Sequence, residues 1–371
     1  MKRVPYINLA AQWEDERAEL LPLIESVLAS GSYVGGESID RFEAAISDYC
    51  DTRFAVALNS GTDALVCALH GLGIGKGDEV ITPPNSFIAS TAAIVHVGAT
   101  PVFVDVKPDQ NLDTELIEVS LTSRTRAIMP VHLTGRIADM SAINETAARH
   151  NLYVIEDAAQ SIGSTWNGQA AGSLGAIGCF STHPLKNLNA CGDGGFITTN
   201  DEELASKVRL FRNHGLVDRN NVEQFGMVSR MDALQAEVLN YRLGRLPSVI
   251  SARRQNAKVY QEMLDPKFVY FPLERDSEFN TYHTFVIQID RRDEVQRDLG
   301  ALGIETAIHY PVPIHLQPAA GRLRYVEGDF PETERQAKRI LTLPVNQYLD
   351  ESHIRCVAES VNKLTSERLL P

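Results

Sequence analysis

The chain has 371 residues, 44% hydrophobic and 22% charged, with a formal net charge of −13 at pH 7. A chain of this length buries a substantial core and is expected to divide into about two domains. The acidic surplus excludes a general nucleic-acid or anionic-membrane surface, which needs excess Lys and Arg, but leaves room for one basic pocket around a phosphorylated ligand.

The first residues, MKRVPYINLAAQWEDER, lack the apolar stretch of a signal peptide, and no run approaches the roughly 18 apolar residues of a membrane span. A cytoplasmic location is expected. Cys50, Cys67, Cys179, Cys191 and Cys356 are odd in number and none stands in a close pair, so free thiols and no metal site are the reading. From about residue 53 to 200, FAVALNS, DEVITPP, TPVFVDV, RAIMPVHL and LYVIEDA read as buried strands. TDALVCALHGLGI and MSAINETAARHN between them space apolar residues as amphipathic helices do. Strands alternating with helices predict an α/β fold, its mostly parallel sheet covered on both faces. MDALQAEVLNYRLGRL is helical up to Pro247, and SVISARRQNAKVYQEML resumes a helix beyond it. The remainder mixes strand, helix and Pro-rich loop. The expected domains are therefore 1–247, a large α/β unit with an N-terminal arm, and 248–371, a smaller α+β unit.

Four segments of the large unit carry candidate chemistry. Asn59-Ser60-Gly61-Thr62-Asp63 turns from a strand into a helix, where free backbone N–H groups and the helix dipole favour an anion. By itself that is an ordinary helix cap. Pro83-Pro84-Asn85-Ser86-Phe87 ends a strand on an aromatic that could stack on a flat ring, or equally fill a core. Glu156-Asp157-Ala158-Ala159-Gln160-Ser161 places a carboxylate after a buried strand, where α/β folds bind ligands. Lys186, in FSTHPLKN ahead of GDGG, would alone read as a surface charge, with Ser181 five residues earlier as a phosphate donor.

Together and in this order, SGTDAL, EDAAQS, FSTHPLKN with GDGG, and SRMDALQAEVL resemble the DegT/DnrJ/EryC1/StrS sugar aminotransferases of fold type I. The resemblance covers nearly the whole chain and implies pyridoxal 5′-phosphate as cofactor, alternating with pyridoxamine 5′-phosphate. It implies that Gly61, Thr62 and Ser181 hold the phosphate, Phe87 stacks on the ring and Asp157 meets the ring nitrogen. Gln160 would bond near the ring hydroxyl, and Lys186 would carry the cofactor as an imine and move protons. Asp157 and Lys186 are thus the catalytic pair. Two positions depart from the family pattern. Val228 stands two residues before Arg230, where an Asn reaching toward the neighbouring subunit's phosphate is usual, and His183 replaces an aromatic.

The implied reaction is ping-pong transfer of an amino group from glutamate to a keto nucleotide sugar. Lys186 disfavours the family's sugar dehydratases, which have His at this place. The segment GIETAIHYPVPIHLQPA resembles that of members aminating C3 of dTDP- or UDP-linked 3-keto sugars. It implies His309 and Tyr310 at the sugar, with Arg230 supplied by the neighbouring protomer of a homodimer. A C4 or cyclitol aminotransferase and a non-catalytic regulator on the same fold are the rival readings. A Rossmann dehydrogenase is a weaker reading still, because no G-x-G-x-x-G follows the first strand.

Overall fold

The computed structural model describes residues 3–367. Seven strands form the main sheet: β1 (Phe54–Leu58), β2 (Glu79–Thr82), β3 (Thr100–Phe103), β4 (Thr125–Ile128), β5 (Tyr153–Asp157), β6 (Ile177–Ser181) and β7 (Gly195–Thr199). Their order is β1-β7-β6-β5-β4-β2-β3. The neighbours from β6 to β3 are parallel, while β7 runs antiparallel to both β1 and β6. All strands except β7 therefore end on one edge, where Gly195 at the start of β7 pairs with both Leu58 and Ser181.

The alternation along each strand assigns the helices to faces. Val56 and Leu58 point with Ile155 and Ile197 into one cluster; Ala55 and Ala57 point with Phe180 and Phe196 into another. In chain order the helices are α1 (Leu9–Ser30), α2 (Glu37–Tyr49), α3 (Gly61–Gly71), α4 (Ile88–His96), α5 (Met140–His150) and α6 (Glu202–Phe211). The first cluster is covered by α3, α4 and α6, and the second by α2 and α5. The mostly parallel sheet with two covered faces is the architecture the alternation predicts. Strands β6 and β7 escaped that reading because glycines and a Gly-rich loop interrupt their apolar pattern.

A long helix, α7 (Ala233–Met263), runs unbroken through Pro247, where the sequence predicts an interruption. Proline removes one backbone donor and usually breaks a helix. Here both flanks are anchored: Leu243, Leu246 and Ile250 belong to the sheet's second cluster, and Ala257 and Tyr260 to a separate C-terminal one. That C-terminal cluster surrounds an antiparallel pair, β8 (Phe285–Gln288) with β9 (Ile340–Leu343), packed by α8 (Arg292–Ala301) and α10 (Glu351–Ser366). A further helix, α9 (Pro331–Arg339), leads into β9. Val4, in the arm assigned by sequence to the large unit, instead bridges Ile304 and joins the C-terminal cluster. Among the described residues no helix is long and apolar enough to cross a membrane.

Candidate active site

The strand ends of β1, β5 and β6 open on a cavity of about 310 Å³ whose far wall comes from the C-terminal segments. At the end of β1, Ser60 caps α3 by accepting a hydrogen bond from the Asp63 amide (3.1 Å). The helix start then leaves backbone N–H groups free for an anion. Glycine is required on both sides of this turn. A Cβ on Gly61 would stand 2.6 Å from the Ser181 Cβ, and one on Gly195 would stand 2.4 Å from the Ser60 carbonyl carbon. Their absence lets the end of β6 press the Ser181 hydroxyl against the α3 terminus. Gly61, Thr62 and Ser181 thus line one corner of the cavity.

Asp157 ends β5 and is 4% exposed. The Ser90 hydroxyl donates to its Oδ2 (2.6 Å) and the Ala159 amide to its Oδ1 (3.2 Å). Burial raises its pKa above the usual carboxylate range, opposed by these bonds and by the nearby Lys186 and His132. His132 is fully buried beneath it, with Nε2 3.0 Å from Glu156. Glu156 also accepts the amides of Gly172 (2.8 Å), Leu174 (2.8 Å) and Gly175 (2.7 Å). The Ala138 amide donates to His132 Nδ1 (3.2 Å), which places the ring proton on Nε2. Gln160 is held by the Thr134 amide at its Oε1 (3.0 Å) and faces the Tyr310 hydroxyl.

Lys186 follows β6 in a turn closed by its own amide to the His183 carbonyl (2.8 Å). Burial lowers its pKa to about 8, with Asp157 pulling the other way. Phe87, at the start of α4, is 55% exposed yet lines the cavity, its ring 5.8 Å from that of Tyr310. His183 also lines the cavity.

The opposite wall contains His309 and Tyr310, together with Tyr6, Arg253, His283 and Asn346, which sequence reasoning missed. His309 Nδ1 lies 2.9 Å from the Thr342 hydroxyl, and its ring stacks on Tyr6 at 6.0 Å. Burial and the Lys186 charge lower its pKa to about 4, so it is neutral at pH 7. Burial raises the Tyr310 phenol. Ser90 was also missed, although it lies one helical turn after Phe87. Arg230 is the one candidate outside this cavity. It is exposed, donates to Asn213 Oδ1 (3.2 Å) and lines a separate concavity with Arg209 and Arg212. Val228 bridges Asn213 beside it and is 48% exposed. Among the described residues no cluster suited to a metal ion occurs.

These residues fit pyridoxal 5′-phosphate: a corner that a Gly61 Cβ would fill, donors for a phosphate, a buried carboxylate, an uncovered aromatic face and a lysine of lowered pKa. Fold and site together define an aminotransferase of the α/β, fold type I class. The chain belongs to the DegT/DnrJ/EryC1/StrS aminotransferase family, whose model matches residues 14–362. It is 42% identical over 363 residues to a dTDP-3-amino-3,4,6-trideoxy-alpha-D-glucose transaminase of Streptomyces venezuelae, covering 97% of this chain and 96% of that protein. It is 40% identical over 362 residues to a "pleiotropic regulatory protein" of Geobacillus stearothermophilus, covering 96% and 97%. A GDP-perosamine synthase of Caulobacter vibrioides is 38% identical over 379 residues, covering 98% and 100%. The crystal structure of S. venezuelae DesV in complex with a ketimine intermediate superposes with a TM-score of 0.96 at 42% identity, covering 98% and 99% of the two chains.

Proposed function

We propose that this enzyme transfers an amino group from glutamate to a keto nucleotide sugar, at C3 of a dTDP- or UDP-linked hexose. The observation that carries the reading is Lys186, an amine of lowered pKa that shares one cavity with the buried carboxylate of Asp157. When bound, pyridoxal 5′-phosphate supplies a carbonyl for the amino group and an electron-withdrawing pyridinium ring. The α3 terminus and Ser181 bind its phosphate, and Phe87 covers one ring face. Asp157, oriented by Ser90, keeps a proton on the ring nitrogen. Lys186, with a substantial neutral fraction near its pKa of about 8, takes the proton from the donor α-carbon.

Amination at C3 is supported by the His309–Tyr310 segment lining the cavity and by the name of the S. venezuelae transaminase. A regulatory role without catalysis is opposed by Lys186 and Asp157 standing together. The homodimer is supported by an uncovered apolar stretch: Val217, Val222 and Val228 are exposed and Phe225 is 97% exposed. Such a surface is expected to pack against a second copy, beside Arg230. The test offers the purified enzyme glutamate with 3-keto and 4-keto sugars linked to dTDP, UDP or GDP. Amination of a 3-keto sugar is expected. Exclusive use of a 4-keto sugar would move the reaction to C4, and inertness toward all would remove the reading.

A further inference from the structure

Arg253, on α7, lines the far wall of the cavity and is 7% exposed. Its Nη1 donates to the backbone carbonyls of His283 (3.0 Å) and Tyr282 (3.4 Å). Its Nε is buried without a hydrogen-bond partner, and among the described residues no carboxylate pairs with the guanidinium. The other arginines buried to this degree differ. Arg136 is paired with Glu278, Arg242 with Glu16 and Arg292 with Asp293.

A guanidinium removed from water without a counter-charge is expensive, and two carbonyl oxygens offset only part of that cost. A guanidinium stays charged at any working pH, so an anion arriving from the cavity would supply what the fold leaves out. The location says which anion. Arg253, His283 and Lys186 line the same cavity, and the positive charges of both Lys186 and Arg253 act on the His283 ring. An anion at Arg253 therefore shares one cavity with the amine that handles the substrate's reacting carbon. In an amino acid, the carboxylate adjoins that carbon directly. In a nucleotide sugar, the charged diphosphate is separated from the keto carbon by the ring.

We infer that Arg253 binds the α-carboxylate of the amino donor, with Tyr6 and His283 completing the subsite. The inference rests on the transamination reading above. It makes the far wall a two-substrate surface: Arg253 anchors the amino acid, and His309 and Tyr310 meet the sugar that replaces it.

The test separates the two half-reactions of the cofactor-loaded enzyme by single-turnover absorbance. L-Glutamate is compared with its α-amide, which keeps the γ-carboxylate and the α-amine. Wild-type enzyme is expected to need about 10- to 100-fold more of the amide for half-maximal conversion, the range for losing a charge-assisted bond. Arg253→Gln is expected to need that much more glutamate, to lose the preference over the amide, and to keep the sugar half-reaction unchanged. Arg253→Lys should recover part of the preference. Equal use of glutamate and amide by wild type overturns the subsite without any variant. So does an Arg253→Gln defect confined to the sugar half-reaction, or shared equally by both, as a structural strut would give. Wild-type enzyme inert toward glutamate overturns the transamination reading, and the subsite with it.

Discussion

The two walls of the cavity are built by different means. The near wall comes from strand ends and the turns that follow them within a few residues: Gly61 after β1, Asp157 at the end of β5, Ser181 and Lys186 around the end of β6. Its shape is fixed by close backbone approach: a Cβ added at Gly61 would stand only 2.6 Å from the Ser181 Cβ. The far wall assembles Tyr6, Arg253, His283, His309 and Asn346 from five segments distant in sequence. It depends on the N-terminal arm and α7 docking on the C-terminal cluster. A wall made of short local motifs suits a cofactor that is the same in every turnover. A wall made of scattered side chains can change with the substrate while the cofactor seat stays intact.

This contrast orders the expected effects. Lys186→Ala should cut turnover by about a thousand-fold or more, because covalent anchor and proton carrier leave together. Its thermal melting should stay close to wild type; robust amino transfer by the variant would break the near wall's claim to the chemistry. Asp157→Asn is expected to retain cofactor, seen in its absorbance, and to react on the order of 100-fold more slowly, the low end for proton-transfer groups. Wild-type rates would remove its role at the ring nitrogen. His309→Phe, on the far wall, should raise the KM for the keto sugar about 10-fold, the scale of one lost hydrogen bond, while cofactor affinity is unchanged. A fall in cofactor affinity instead would blur the distinction between the walls.

The smallest effect is a shift in pH dependence. Cofactor uptake needs the neutral Lys186 amine, and burial makes that amine neutral at lower pH. Uptake by the apoenzyme should therefore rise with pH through about 8 and then level off, rather than climbing toward the ordinary lysine value of 10.5. Asp157 favours the charged amine, so Asp157→Asn should move the midpoint downward. A stopped-flow pH series on both proteins measures this.

The same contrast explains what could be read from the sequence. Gly61, Asp157, Ser181 and Lys186 sit in contiguous motifs, so their joint occurrence was legible before any fold was known. Alternating apolar runs made β1 through β5 legible in the same way. Strands β6 and β7 were obscured by glycines that the site itself requires, Gly195 above all. Pro247 read as a helix end because the two hydrophobic clusters that anchor α7 on either side of it are formed by distant segments. Arg253 and His283 carry no local signature. Arg253 lies in the run SARRQNAK, where burial separates it from its neighbour Arg254, and that arginine is instead paired with Glu274 (2.6 Å).

The most direct test is to load the protein with pyridoxal 5′-phosphate, reduce with borohydride, digest it and locate the modified lysine by mass spectrometry. The expected result is one phosphopyridoxyl group on the peptide containing Lys186, absent from Lys186→Ala. Modification of a different lysine, or none, would contradict the assignment of this site.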